Sequence, residues 1–220
     1  PRWLWLLLLL LPILLIAAFL GYKSLQTLPR IALAPAYALI DQDGNTLTNE
    51  TLRGNLVINS ILDSRCKENR TENCTDTSHT LQQLKAEIGD FKINDIPLRF
   101  VTVALDPTHD TPETLRAYAK QVGAATVHWH FVSSDPEQFS NLLQAELQTS
   151  SLSPEGSIFA PRFVLVDGWG IVRAIYPTAM PDIEQIKRDL RLVAQEARQS
   201  SGINRYGYEA VHLFMCHNGL

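Results

Sequence analysis

LVINSILDSRCKENRTENC, residues 56–74, decides how the rest of the chain is read. Its first seven residues are almost continuously apolar, which suits a strand buried on both faces of a sheet. The polar stretch that follows carries Cys66 and Cys74, two of the three cysteines. Helical periodicity then sets in over residues 77–88, where Leu81, Leu84 and Ile88 recur at spacings of three and four. Gly89 can end that helix. A reactive segment between a strand and a helix sits at the carboxyl end of the strand, the usual place for chemistry in an α/β domain.

Working outward, residues 37–40 and 46–48 form a hairpin around the turn Asp41-Gln42-Asp43-Gly44. Residues 52–55 turn into the central strand. Downstream, residues 98–105 (LRFVTVAL) form a second core strand, followed by the loop 106–110. Thr111 is an N-cap with Pro112 at the first helical position and Glu113 in the first turn, and the helix runs to Gly123. Residues 128–132 are a shorter strand. Asp135-Pro136-Glu137 starts another helix, through Leu147. Residues 162–166 and 171–176 flank the turn Asp167-Gly168-Trp169-Gly170, and Asp182 opens a last helix ending near Arg198. A returning hairpin beside parallel strands makes the sheet mixed. The expected fold is therefore α/β: a thioredoxin-like mixed sheet over residues 35–198, with helices on both faces.

The ends differ from this domain. Residues 3–20 (WLWLLLLLLPILLIAAFL) carry no charge and approach the length of a spanning helix. Trp3, Trp5 and Tyr22 fit interfacial anchors. The reading is a transmembrane anchor over 1–22, with a cleaved signal peptide as the alternative. Pro29 and Pro35 mark residues 23–34 as a stalk. Residues 199–220 are a separate tail. A net charge of −4 gives no reason to expect nucleic acid as a partner. Two cysteines in one short polar loop suit an oxidising compartment, which puts the soluble domain on the extracytoplasmic, periplasmic side of the membrane.

Cys66 and Cys74 have three open readings. As a structural disulfide they would close a small ring, contributing about 2 to 3 kcal/mol. As a redox pair they would draw reactivity from a helix N-terminus and from Arg65, Lys67 and Arg70, opposed by Glu68 and Glu72. As a metal site they offer two soft thiolates suited to Cu(I). A third ligand would come from His79, one turn into the helix, or His109, in the loop after the second strand. The tail His212, Cys216 and His217 is a further candidate, because His212 and Cys216 are four apart and share a helix face. His128 and His130 share one face of their strand, with Trp129 on the other, and read as rim residues. No phosphate-binding glycine loop, nucleophile elbow or HExxH motif is present.

The segment DPTHDTPETLRAYAK, residues 106–120, resembles the D-P-x-x-D-T-P segment and following helix of the SCO/SenC family. The hairpin before Gly54, the strand leading to Cys66, the Trp129 region and the VDGWG turn are similar as well. The likeness covers roughly residues 35–195. It implies a membrane-anchored thioredoxin fold whose paired cysteines, in a C-x3-C-P loop, and a later histidine bind copper. The implied partner is a respiratory oxidase, whose dinuclear copper site receives the metal or has its cysteines reduced. Cys66 falls at the first family cysteine. Cys74 matches the second with four extra loop residues, Thr75 stands where proline is expected, and Phe159-Ala160-Pro161 holds no histidine. Three functions follow: a copper-handling or thiol-redox factor, a non-catalytic accessory subunit of a respiratory electron-transfer complex with a degenerate copper site and a structural disulfide, or a general extracytoplasmic thiol-disulfide oxidoreductase.

Overall fold

The computed structural model describes residues 10–14, 27–62, 73–88, 96–104, 108–124, 128–133, 163–178, 180–200, 205–209 and 212. Eight strands form one mixed sheet: β1 (Ala32–Leu33), β2 (Ala38–Asp41), β3 (Thr46–Thr48), β4 (Leu56–Leu62), β5 (Leu98–Ala104), β6 (Trp129–Ser133), β7 (Phe163–Val166) and β8 (Ile171–Tyr176). Their order across the sheet is β1-β8-β7-β4-β5-β6-β2-β3. β4, β5 and β6 run parallel, and the remaining pairings are antiparallel.

Every residue of β4 is buried, as its apolar run predicts. Alternate residues split the core in two. Leu56, Ile58 and Leu62 pack with Phe100, Trp129, Phe131 and the apolar stripes of three helices. These are α1 (Asn73–Ile88), α2 (Pro112–Gln121) and α3 (Ile183–Gln199). Val57 and Ile61 face the other way, with Val101, Val103, Val132, Val164, Leu39, Leu47 and Leu52. The helix expected over 135–147, on which coverage of both faces depends, lies outside the described residues. Trp129 is the largest fully buried side chain. It stacks on Phe100 at 4.5 Å and on Phe131 at 5.8 Å. Its indole N–H donates to Thr102 Oγ1 at 2.9 Å, and that hydroxyl shares a 2.9 Å hydrogen bond with Ser60.

The expected caps are in place. Thr111 accepts from the Thr114 amide with Pro112 following it, and Asp182 accepts from the Glu184 amide. Two turns meet below β4: the Gly54 amide donates to the Gly168 carbonyl at 3.0 Å. A Cβ on Gly168 would lie 3.2 Å from the Gly54 Cα, so a side chain there would push the Gly54 backbone back by a few tenths of an ångström.

Three expectations change. The stalk, where described, is part of the sheet: Ala32 and Leu33 pair with Val172 and Ile171. Pro29 and Pro35 exclude a helix there but leave an extended edge strand free to form between them. The tail is not separate either, since Tyr208 and His212 are buried against the domain. α1 begins at Asn73 rather than near Thr77, so Cys74 lies within its first turn. Among the described residues no helix is long and apolar enough to cross a membrane. Of the apolar segment 3–20, residues 10–14 are described; they are helical, and their side chains are exposed.

Candidate functional site

β4 and β5 are parallel and in register, with Leu56 opposite Leu98 and Leu62 opposite Ala104. Their carboxyl ends therefore share one end of the sheet. The chain leaves β4 there towards Cys66, which lies outside the described residues. It returns as α1, whose first turn carries Cys74. His109, five residues beyond the end of β5, is an exposed turn residue ahead of the Thr111 cap. His109 thus follows the β5 end of this pair, and Cys74 is reached from the β4 end through residues 63–72, which lie outside the described residues. His79 stands further along α1 and is exposed. Among the described residues, no group of three or more His, Cys, Asp and Glu side chains is arranged to hold a metal ion. Cys216 and His217, like Cys66, lie outside the described residues.

The rim histidines have other partners. Burial pulls the His130 pKa below its ordinary value, opposed by Asp41, whose carboxylate lies 3.5 Å from the ring. His128 Nδ1 is 2.7 Å from Arg99 Nη1. Asp41 itself accepts from the amides of Asp43 and Asn45 and shapes the β2–β3 turn.

His212, expected beside Cys216 as a soft-metal ligand, is instead built into a buried ionic network. Its Nε2 is 2.8 Å from Glu196 Oε1. The other Glu196 oxygen accepts from Arg173 Nη2. Arg173 Nη1 donates to Asp167 at 3.0 Å, its Nε to the Pro29 carbonyl and its Nη2 also to the Leu28 carbonyl. Arg30 reaches Glu196 at 3.3 Å and both carboxylate oxygens of Glu209 at 3.1 Å. Burial pushes the Glu196 carboxyl up, but hydrogen bonds from Arg173 and His212 outweigh it and hold the carboxyl below its ordinary range.

Sequence reasoning missed this network. Its hub is aimed by a bulge: Leu165 pairs with Ala174 and Val166 with Val172, leaving Arg173 out of the ladder. The one signal available was an arginine within an otherwise apolar strand, IVRAIY. The network ties residues 28–30, the end of α3 and the tail to one end of the sheet, opposite the end from which the chain runs on to Cys66.

The SCO1/SenC family model matches residues 26–195, which spans the sheet from β1 to α3. Among solved structures, BsSco, described as a member of the Sco family of cytochrome c oxidase assembly proteins, is 22% identical with a TM-score of 0.62, over 77% of this chain and 98% of its own. A SCO1/SenC family lipoprotein from Bacillus anthracis str. Ames is 20% identical with a TM-score of 0.64, over 78% and 99%. Bradyrhizobium japonicum ScoI with copper bound is 17% identical with a TM-score of 0.55, over 74% and 99%. At these identities the likeness is one of fold, a thioredoxin-like mixed sheet. No curated protein matches the chain. On the extent of the family match, the chain belongs to the SCO1/SenC family.

Proposed function

We propose that this chain is a membrane-anchored copper-handling or thiol-redox factor acting on a respiratory oxidase, with its sheet domain on the extracytoplasmic side. The observation that supports the reading is that Cys74 falls in the first turn of α1, the helix that follows β4 and Cys66 in sequence, in a SCO1/SenC chain. The first turn of a helix favours a thiolate over a thiol. Two thiolates suit Cu(I), which is the cargo in this reading. Solved relatives of this fold carry copper, among them yeast Sco1 and Arabidopsis thaliana ScoI.

The same pair would serve a redox step. One thiolate attacks a partner disulfide and releases one partner thiol. The second attacks the mixed disulfide, so that the partner leaves as a dithiol and Cys66–Cys74 as the disulfide, two electrons having passed to the partner.

A second reading, an accessory subunit with a degenerate copper site, draws on the long C-x7-C spacing and on the absence of histidine at residues 159–161.

The test is Cu(I) loading of the full chain in detergent under anaerobic conditions, with metal and thiol counts. The copper reading expects about one tightly held copper per chain, lost in Cys66→Ser and in Cys74→Ser. Metal retained in both variants, or never bound, with a disulfide that glutathione does not reduce, supports the accessory subunit instead.

A further inference from the structure

The buried network closes one wall of a shallow groove of about 360 Å³, lined by Arg30, Trp169, Ile171, Ser200, Arg205 and Glu209. Around it lie large apolar and aromatic side chains turned to solvent. Trp169 is 51% exposed, Leu33 76%, Ile31 39% and Tyr206 76%. Leu33 stands opposite Ile171 in the β1–β8 ladder, so the two point to the same face of the sheet. Trp169 follows Asp167 in the turn that carries the ladder round, and it faces the same groove as Ile171.

We propose that this face rests on the headgroup layer of the lipid bilayer, with Trp169 and Tyr206 at the interface and Leu33 pressed towards the acyl boundary. The inference rests on the anchoring reading given above. Three observations favour a lipid surface over any other occupant. The first is tether length. The apolar segment ends at Leu20, and Arg30, on the groove wall, is ten residues later, a span of at most about 35 Å even when fully extended. An anchored chain therefore holds this face against the bilayer at high effective concentration.

The second is side-chain type. Tryptophan and tyrosine, with an apolar body and a polar tip, are the residues that settle at membrane interfaces. The third is charge. Arg30 neutralises the half-exposed Glu209 carboxylate, the groove group that would otherwise repel an anionic headgroup. Arg205, exposed on its wall and near enough to Glu209 to stabilise that carboxylate, adds a cation that suits a phosphate while its stem covers apolar surface. Rigid docking of residues 28–30 on Arg173 keeps the tether from swinging the face away.

The test uses the full chain in phosphatidylcholine vesicles with a minority of phosphatidylglycerol. Trp3→Phe and Trp5→Phe leave two indoles, Trp129 in the core and Trp169 at the surface. Adding Trp169→Phe to that background isolates the Trp169 signal, and Trp169 is exposed enough for Phe to be accommodated. Flotation after an alkaline wash reads the anchor separately.

The expected result is a chain that floats and whose Trp169 emission shifts to the blue. Lipids brominated near the headgroup should remove most of that emission, a fall of about half in the total. Leu33→Asp with Tyr206→Ser should weaken the quenching while leaving the thermal midpoint unchanged. A floating chain whose Trp169 stays open to aqueous iodide and ignores bromolipid overturns the docking and leaves the anchor standing. A floating chain whose Trp169 is shielded from both quenchers overturns it in favour of a protein occupant, such as a second copy. A chain that does not float overturns the anchor reading and this proposal with it.

Discussion

Glu196→Gln tests whether the buried network holds the two chain ends to the domain. The Glu196 side chain is 1% exposed and accepts from Arg173, His212 and Arg30. Glutamine keeps the shape but removes the charge, and its amide hydrogens turn one acceptor position into a donor facing a donor. Breaking a buried pair from one side costs about 3–5 kcal/mol. Arg173 retains Asp167 and two backbone carbonyls, which places the expected loss near the lower end, about 3 kcal/mol. For a chain of this size that lowers the thermal midpoint by roughly 6–12 °C.

The control is Glu50→Gln. Its partner Arg53 is 62% exposed and Glu50 itself 73%, so the midpoint should hold to within about 0.5 kcal/mol. Both variants are followed by circular dichroism on the full chain in detergent, with limited trypsin digestion alongside. Arg205 is the reporter cleavage site, because the segment around it is held through Glu209 and His212. Glu196→Gln should speed cleavage there, whereas Glu50→Gln should not. A Glu196→Gln midpoint and cleavage rate matching those of Glu50→Gln would refute the reasoning.

Two further outcomes follow from buried polar groups. Thr102→Val strands the Trp129 indole N–H and the Ser60 hydroxyl, and should lower stability by about 2 kcal/mol in urea titration, with Thr102→Val/Ser60→Ala recovering part of the loss. The pH dependence has a fixed sign. The Glu196 pKa is depressed in the fold, so its contribution is complete above the ordinary carboxylate value of about 4.3 and is lost as pH falls through the folded value. His130, also depressed, contributes above the ordinary histidine value of about 6.5 and is lost below it. The urea midpoint should therefore sag slightly below neutrality and drop again in acid, and Glu196→Gln should shrink the second fall, leaving the part that the depressed Glu113 and Glu209 carboxyls contribute.

Local chemistry made most of the sheet legible. The apolar run of β4, the strand that follows the Asp167-Gly168-Trp169-Gly170 turn and the caps at Thr111 and Asp182 are written in neighbouring residues, and each element lies within a residue or so of its expected place. What escaped depends on distant partners. β1 is two residues between prolines, and nothing near it names β8 as its neighbour, about 140 positions away. The early start of α1 lacks a capping signal of the Thr-Pro kind. Arg173 reads locally as the polar position of a half-exposed strand. Its burial follows from Glu196 on α3 and from carbonyls at residues 28 and 29. His212 drew attention through its spacing to Cys216, whereas its partner in space is Glu196. The site is legible only as a place, the common carboxyl end of β4 and β5.

That place and the proposed membrane face are related by the sheet itself. β7 runs antiparallel to β4, and Val57 at the start of β4 pairs with Val166 at the end of β7. The Trp169 turn therefore lies beside the entry to β4, where Gly54 and Gly168 touch. Seven residues of strand then carry the chain about 23 Å before it runs on to Cys66. A domain resting on its Trp169 face would hold the cysteine-bearing end away from the lipid. The Arg173 network, which binds residues 28–30, the end of α3 and the tail to the same end of the sheet, would make such an orientation rigid. Loosening it would leave the strand-end chemistry unchanged in kind and alter only how the cysteines are presented. A network variant that keeps its thiol count and copper stoichiometry yet loses activity towards a membrane-embedded partner would separate presentation from chemistry.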